Sequence, residues 1–251
     1  MTEHTLRDKV AVIAGGAKNL GGLTSTTFAD AGAKVVIHYH GDGSEADAEK
    51  TADAVRAAGS QAVIVQADLT RVGEVRRLFD VAVDEFGGVD VAVNTTGMVL
   101  RKPILETTED EYDTMLAINA KAAYFFLQEA GRRLNDHGKI ISLVTSLLAA
   151  YTDGYSTYAG GKAPLEHFTR AASKEFAARG ISVTNVAPGP MDTPFFYPQE
   201  TPERVEFHKS QALGNQLTQI EDIVPLVRFL ATDGWWITGQ TIFANGGYTT
   251  R

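Results

Sequence analysis

The sequence predicts an α/β protein: a single doubly wound parallel sheet with helices on both faces, spanning residues 1–251 as one domain. Three observations carry this. Short β-branched apolar runs alternate with longer helical stretches along the chain, the pattern of repeated strand–helix–strand units with right-handed crossovers. The first run leads at once into a glycine cluster and then a helix, as in sheets that present a turn to a phosphate. The 251 residues, 44% of them hydrophobic, suit one large α/β domain, and no linker rich in Pro, Gly or Ser divides them.

Composition narrows the function classes. A net charge of −8 argues against a nucleic-acid footprint. The chain has no cysteine, which excludes disulfides, Cys–zinc sites and a thiol nucleophile. Met1 to Lys9 is polar and no apolar run approaches membrane length, so we expect no secretion signal, no membrane partner and a cytoplasmic protein.

Lys9-VAVIA-Gly15 reads as the first buried strand. Gly15-Gly-Ala-Lys-Asn-Leu-Gly-Gly22 is the turn, followed by a helix through Ala31. Ala33 to His40 is the second strand, and Ser44 to Ala58 a helix with Ser44 as N-cap. Gln61 to Ala67 is the third strand. Asp68 is placed to cap the helix from Arg71 to Phe86. Val89 to Val93 is the fourth strand, ending in Asn94-Thr-Thr-Gly97, and residues 108–136 read as helices. Lys139 to Thr145 is a fifth strand and Tyr158 to Arg179 a helix stopped by Gly180. Ile181 to Ala187 is the sixth strand, followed by Pro188-Gly-Pro-Met-Asp-Thr193. Residues 195–217 read as an irregular segment with three aromatics, Glu221 to Thr232 as a helix, and Trp235 to Gly247 as the closing strand.

The chemistry concentrates at Val144 to Lys162. A helical Tyr158-Ala-Gly-Gly-Lys162 places a phenol and an ammonium one turn apart on one face. An ammonium beside a phenol favours the phenolate and brings its pKa toward a useful range. Two hydroxyls, Thr145 and Ser146, end the preceding strand and face the same crevice.

The order strand, hydroxyl, loop, Tyr-x-x-x-Lys, helix resembles the short-chain dehydrogenase/reductase family. Gly15 and Gly21 fit that family's T-G-x-x-x-G-x-G turn, with Ala14 for the Thr and Asn19 for the middle Gly, where Asn tolerates positive φ. Asn94-Thr-Thr-Gly97 resembles N-N-A-G, and Pro188 to Thr193 matches P-G-x-x-x-T. The resemblance spans residues 7–248 and implies a Rossmann-type dinucleotide fold. It implies a catalytic set of Asn119, Thr145, Tyr158 and Lys162, with Ser146 as the alternative hydroxyl. Family spacing of thirteen from hydroxyl to Tyr selects Thr145. Asn119 would hold a relay water.

The resemblance also implies coenzyme contacts from Gly15, Lys18, Asn19, Leu20, Gly21, Tyr39, His40, Asp68, Leu69, Asn94, Gly97, Tyr158, Lys162, Pro188, Gly189 and Thr193. The second strand ends in Tyr39 where NAD-preferring members carry a carboxylate, and Lys18 stands where NADP-preferring members carry a basic residue. NADP(H) is therefore expected, with NAD(H) as the alternative, and a 2′-phosphate would meet Lys18 with His38, His40 or Ser44. Residues 190–217 would form a substrate lid. The expected activity is hydride transfer to a small carbonyl compound by a homotetramer. The fragments His38-Tyr-His40 and Ala17-Lys-Asn-Leu-Gly21 also resemble pteridine reductases, although Gly41 stands where those carry Arg. C=N reduction and a coenzyme sensor without turnover are the competing readings.

Overall fold

The computed structural model describes residues 4–150 and 152–250. Tyr151, inside the Val144–Lys162 stretch, and the chain ends lie outside the described residues. Seven strands form one sheet: β1 (Val10–Ala14), β2 (Lys34–Tyr39), β3 (Ala62–Gln66), β4 (Val89–Asn94), β5 (Leu134–Leu143), β6 (Ser182–Pro188) and β7 (Gln240–Ala244). Their order is β3-β2-β1-β4-β5-β6-β7, and all pairs are parallel. The sheet is doubly wound, and its strand order reverses between β1 and β4, the place where such sheets open a ligand crevice at their C-terminal edge.

Strand periodicity divides the core. Ala11, Ile13, Val35 and Ile37 point to one face and Val12, Ala14 and Val36 to the other. The first face is covered by α1 (Asn19–Asp30), α2 (Glu45–Ala57) and α9 (Ile220–Ala231), through Phe28, Val55 and Val227. The second is covered by α3 (Val72–Phe86), α5 (Ala122–Arg133) and α7 (Pro164–Glu175). There Phe79 and Phe126 meet with ring centroids 5.1 Å apart. Because both faces are covered, the inner strands read as continuous apolar runs.

Several boundaries differ from the sequence reading. Ser44 sits at the start of α2 but makes no capping bond with its side chain. Asp68 does not cap α3, whose N-cap position is Arg71; its carboxylate instead accepts from Thr70 N–H (3.0 Å) and Thr70 Oγ1 (2.6 Å), a local turn that competes with capping. The stretch 108–136 divides into α4 (Glu109–Leu116), a π turn at Ala117–Lys121, and α5, which ends at Arg133. The stretch from Tyr158 divides into α6 (Ser156–Lys162) and α7. Pro164 has no N–H to give, yet Ala163 keeps helical dihedrals (φ −58°, ψ −39°), so the axis continues. The segment 195–217 is not wholly irregular. It holds α8 (Pro202–Ser210), whose first turn carries Pro202 and whose Thr201 hydroxyl accepts from Arg204 N–H. No helix among the described residues is long and apolar enough to cross a membrane.

Candidate active site

The turn after β1 is shaped for close approach. Gly15 (φ +75°) and Asn19 (φ +48°) occupy the left-handed region. A Cβ on Gly21 would lie 2.0 Å from the Gly15 carbonyl oxygen, so no larger residue fits there. This turn opens onto a cleft of about 750 Å³ along the C-terminal edge of the sheet. Of the residues expected at a coenzyme, Gly15, Lys18, Asn19, Leu20, Gly21, Tyr39, His40, Asp68, Leu69, Gly97, Tyr158, Lys162, Pro188 and Thr193 line it. Gly189 lines the adjoining cavity instead. Asn94 lies behind the wall, 2% exposed, with Oδ1 accepting from Thr96 N–H (3.0 Å) and Thr96 Oγ1 (2.6 Å). The sequence reading gave no role to Thr95, Thr96 and Met98, which also line the cleft, as do Met191 and Phe195 of the expected lid segment. Thr95 had a readable signal, a hydroxyl at a strand end one residue after Asn94. It donates to the Ala14 carbonyl at 2.8 Å and closes the seam between β1 and β4.

At the end of the cleft beside β2, where the sequence reading expects the adenosine, Lys18 forms an ion pair with Asp47 at 3.0 Å, both side chains about half exposed. Asp42 is turned away, its carboxylate accepting from Gln66 Nε2 at 2.9 Å. Ser44 lines the cleft as expected. His38 departs from expectation: it also lines the cleft, but both ring nitrogens are engaged inside the protein, with Gly15 N–H and the Ala67 carbonyl. It has no donor left for a phosphate.

The candidate catalytic groups gather where the cleft meets a smaller cavity of about 90 Å³. Lys162 is 4% exposed, and its ammonium donates to the carbonyls of Thr96 (2.9 Å) and Leu143 (3.0 Å). Burial against these neutral partners lowers its pKa to about 8. Gly97 gives close access here, since a Cβ would stand only 3.0 Å from both Lys162 Nζ and Asn119 Oδ1. Burial pushes Tyr158 up to about 12, and a hydrogen bond with Thr145 offsets part of that rise. The expected lowering by Lys162 is not seen in the protein alone: only burial and Thr145 set the Tyr158 shift, and the Lys162 ammonium is bonded to the Thr96 and Leu143 carbonyls.

The two candidate hydroxyls are differently engaged. Ser146 Oγ donates to the Ala187 carbonyl (3.2 Å) and accepts from Asn245 Nδ2 (2.9 Å), so it braces β6 and the chain's end. Thr145 Oγ1 accepts from Leu147 N–H (3.2 Å) and reaches Tyr158. Asn119 is fully buried in the π turn. Its amide accepts from Met98 N–H (3.1 Å) and donates to the Met98 carbonyl (2.9 Å). The helix is opened locally, as expected, but the Asn119 side chain is spent on Met98.

Tyr158 lines both cavities. Its ring lies 6.4 Å from that of Tyr155 and 6.3 Å from that of Phe195. The far wall of the smaller cavity carries Glu200, His208 and Tyr248. Glu200 has no exposed side-chain surface and accepts from Tyr155 OH, Arg204 Nε (3.0 Å) and His208 Nε2 (3.2 Å). His208 Nδ1 is 2.9 Å from Tyr248 OH. Among the described residues no cluster of His, Asp and Glu could hold a metal ion.

The family described as Enoyl-(Acyl carrier protein) reductase matches residues 15–249. A chloroplastic NADPH-dependent aldehyde reductase-like protein from Arabidopsis thaliana is 33% identical, over 97% of this chain and 95% of its own. The crystal structure of a protein described as a dehydrogenase from Burkholderia cenocepacia, with bound NADP, superposes with a TM-score of 0.98 at 60% identity, covering 100% of this chain and 97% of that one. A blue fluorescent protein from a metagenomic library, solved in complex with NADPH, gives 0.93 at 31% identity, covering 98% and 100%.

Proposed function

The chain belongs to the short-chain dehydrogenase/reductase family, and we propose that it reduces a small carbonyl compound to an alcohol with NADPH, Tyr158 acting as general acid. One observation carries the reading: Tyr158 stands at the junction of the nucleotide cleft and the small cavity, between Thr145 and the Tyr-x-x-x-Lys partner Lys162. The residues present fit a dinucleotide. The Gly15–Gly21 contact leaves room for a pyrophosphate at the start of α1, and Gly97 leaves room beside Lys162. The nicotinamide, when bound, supplies the hydride.

This chain's own groups then do the following. Tyr158, held protonated by burial, donates to the alkoxide as it forms. The Thr145 hydroxyl holds the carbonyl oxygen, while Ser146 stays in its structural bonds. Lys162 keeps a cation beside the phenol and binds the coenzyme ribose. The π turn at Asn119 holds the relay water through its freed backbone, since the side chain is bound to Met98. NADP(H) is the coenzyme. Relatives with bound NADP and NADPH support this, as do a cleft end lined by Lys18 and Tyr39 and an Asp42 turned toward Gln66. Residues 190–217, including α8, form the lid over the small cavity within a single-domain chain.

We also propose a homotetramer. Leu105 (98% exposed) and Ile104 (73%) beside α4, and Trp236 (80%) near α9, are apolar surfaces suited to closed two-fold contacts. Light scattering at micromolar concentration checks it; a monomer refutes it. The functional test is NADPH oxidation with a panel of aldehydes, ketones and pterins. Turnover confined to carbonyls supports the reading, turnover confined to pterins replaces it with C=N reduction, and coenzyme binding without turnover replaces it with sensing.

A further inference from the structure

His38 sits at the penultimate position of β2, 2% exposed, and its two ring nitrogens reach opposite neighbours. Gly15 N–H donates to Nδ1 at 3.0 Å. Nε2 lies 2.9 Å from the Ala67 carbonyl. A carbonyl can only accept and a backbone N–H can only donate, so the ring is neutral with its proton on Nε2. Gly15 follows β1 and Ala67 follows β3, the strands on either side of β2. The imidazole therefore bridges the two loops that wall the nucleotide cleft at its adenosine end.

These are not ordinary sheet contacts. Strand β1 ends at Ala14 and β3 at Gln66; Ala67 adds one backbone bond, from its N–H to the Tyr39 carbonyl at 3.0 Å, while its own carbonyl turns to the His38 ring. Gly15 is the first left-handed residue of the turn, and the next strand's Thr95 packs against it, 2.6 Å from where its Cβ would be. The Ala67 carbonyl lies one residue before Asp68, which lines the cleft beside Leu69 and Thr70. Without His38 the half-buried Gly15 N–H would lose this partner, and the turn would have another conformation open to it.

We propose that His38 is a positioning residue of the coenzyme site: it clamps the Gly15 N–H and the Ala67 carbonyl so that the glycine turn and the Asp68 loop are held ready for the dinucleotide. It touches neither the reacting atoms nor a phosphate, and it acts through Gly15 and Ala67. The inference rests on the proposed NADP(H) site.

The test uses the full chain and direct NADPH binding by fluorescence, with steady-state kinetics on one accepted carbonyl substrate. His38→Asn keeps an acceptor near the Nδ1 position and His38→Gln keeps a donor near the Nε2 position, while His38→Phe keeps the ring volume and neither bond. His38→Phe and His38→Gln, which strand the Gly15 N–H, should weaken NADPH binding by about tenfold or more. His38→Asn, which keeps the Gly15 bond and loses the Ala67 bond, should weaken it by a smaller amount, about threefold. The loss should appear in the KM for NADPH far more than in kcat. In the wild type, ¹⁵N shifts of the ring should report a neutral imidazole protonated on Nε2 with or without NADPH. Should His38→Phe fail to fold, the Asn and Gln variants decide. Wild-type NADPH affinity in both of those variants, or a ring protonated on Nδ1, overturns the proposal. Failure of the wild type to bind NADPH at all would instead strike the coenzyme assignment, leaving the ring tautomer as the separate reading of the clamp.

Discussion

Lys18 and Asp47 form an ion pair of 3.0 Å at the adenosine end of the cleft, Lys18 from the turn before α1 and Asp47 from the first turn of α2. Both side chains are about half exposed, so the pair is weak and screened. A 2′-phosphate offers the ammonium a stronger acceptor.

Coenzyme selectivity follows from this exchange. A charge-assisted contact contributes about 1.5–3 kcal/mol, roughly ten- to a hundredfold in affinity. NADPH should be preferred over NADH in kcat/KM by that order. Lys18→Ala should lose most of the preference, and Asp47→Ala, which frees the ammonium, should raise it. An unchanged ratio in Lys18→Ala would make Lys18 a solvated loop residue only.

Acid stability carries the signature of His38. Burial is the largest cause of its lowered pKa of about 4, against 6.5 for a free ring, with His40 and Arg77 adding to the fall and the bond to Ala67 opposing it. Between those values the unfolded chain takes up a proton that the folded chain refuses. Stability therefore falls as pH drops from 6.5 toward 4, and this group accounts for a loss of roughly 3 kcal/mol. Thermal unfolding followed over that range should show a shallower acid limb in His38→Asn. Equal limbs would mean the ring titrates normally.

Lys162 governs the alkaline side. Its lowered pKa of about 8 means the ammonium is lost as pH rises through that value, whereas Tyr158 near 12 keeps its proton. NADPH binding and carbonyl reduction in the free enzyme should therefore decline above about pH 8 through Lys162. Stability should move the other way, because from 8 up to the unfolded value of 10.5 the folded chain releases a proton the unfolded chain keeps. Binding and unfolding measured across that range check the opposing slopes. A reduction rate flat to pH 10 would refute the assignment.

Glu200 fastens the segment 190–217 that we propose as the lid. Its buried carboxylate gathers Tyr155, Arg204 and His208, with Arg101 Nε at 4.0 Å. Removing one member of such a buried set costs about 3–5 kcal/mol. Glu200→Ala should raise the KM for the carbonyl substrate at least tenfold, and trypsin should cut near Arg204 and Lys209 faster. Unchanged KM and proteolysis would show that the lid is held elsewhere.

Much of this was legible in the sequence because it rests on local rules. Buried parallel strands read as apolar runs, the glycine turn announced itself by spacing, and Asn19 at φ +48° follows from what Asn tolerates. Tyr158 and Lys162 were visible as a helical i, i+4 pair. The misreadings lie where one side chain had two local options. Asp68 chose Thr70 over a cap. Asn119 opens the helix as its sequence setting implied, while the partner of its side chain, Met98, lies across a loop and could not be read. Helix α8 was hidden because Pro202 and the aromatics read as loop, although Thr201-Pro202 is also a helix start. The role of His38 could not be read at all, since Gly15 and Ala67 lie 23 and 29 residues away and meet it only through the sheet. That burial, and not Lys162, raises the Tyr158 pKa is likewise a property of packing.

The central claim is that Tyr158 gives the proton that completes carbonyl reduction. The direct measurement is single-turnover NADPH oxidation with an accepted carbonyl substrate, in the wild type and in Tyr158→Phe, each saturated with coenzyme. General acid catalysis contributes about 10²–10⁴-fold, so Tyr158→Phe should lose at least a hundredfold in rate while binding NADPH within about threefold of wild type, because the phenol hydroxyl is not among the cleft's phosphate-facing groups. A Tyr158→Phe enzyme that oxidises NADPH at near the wild-type rate would contradict the account.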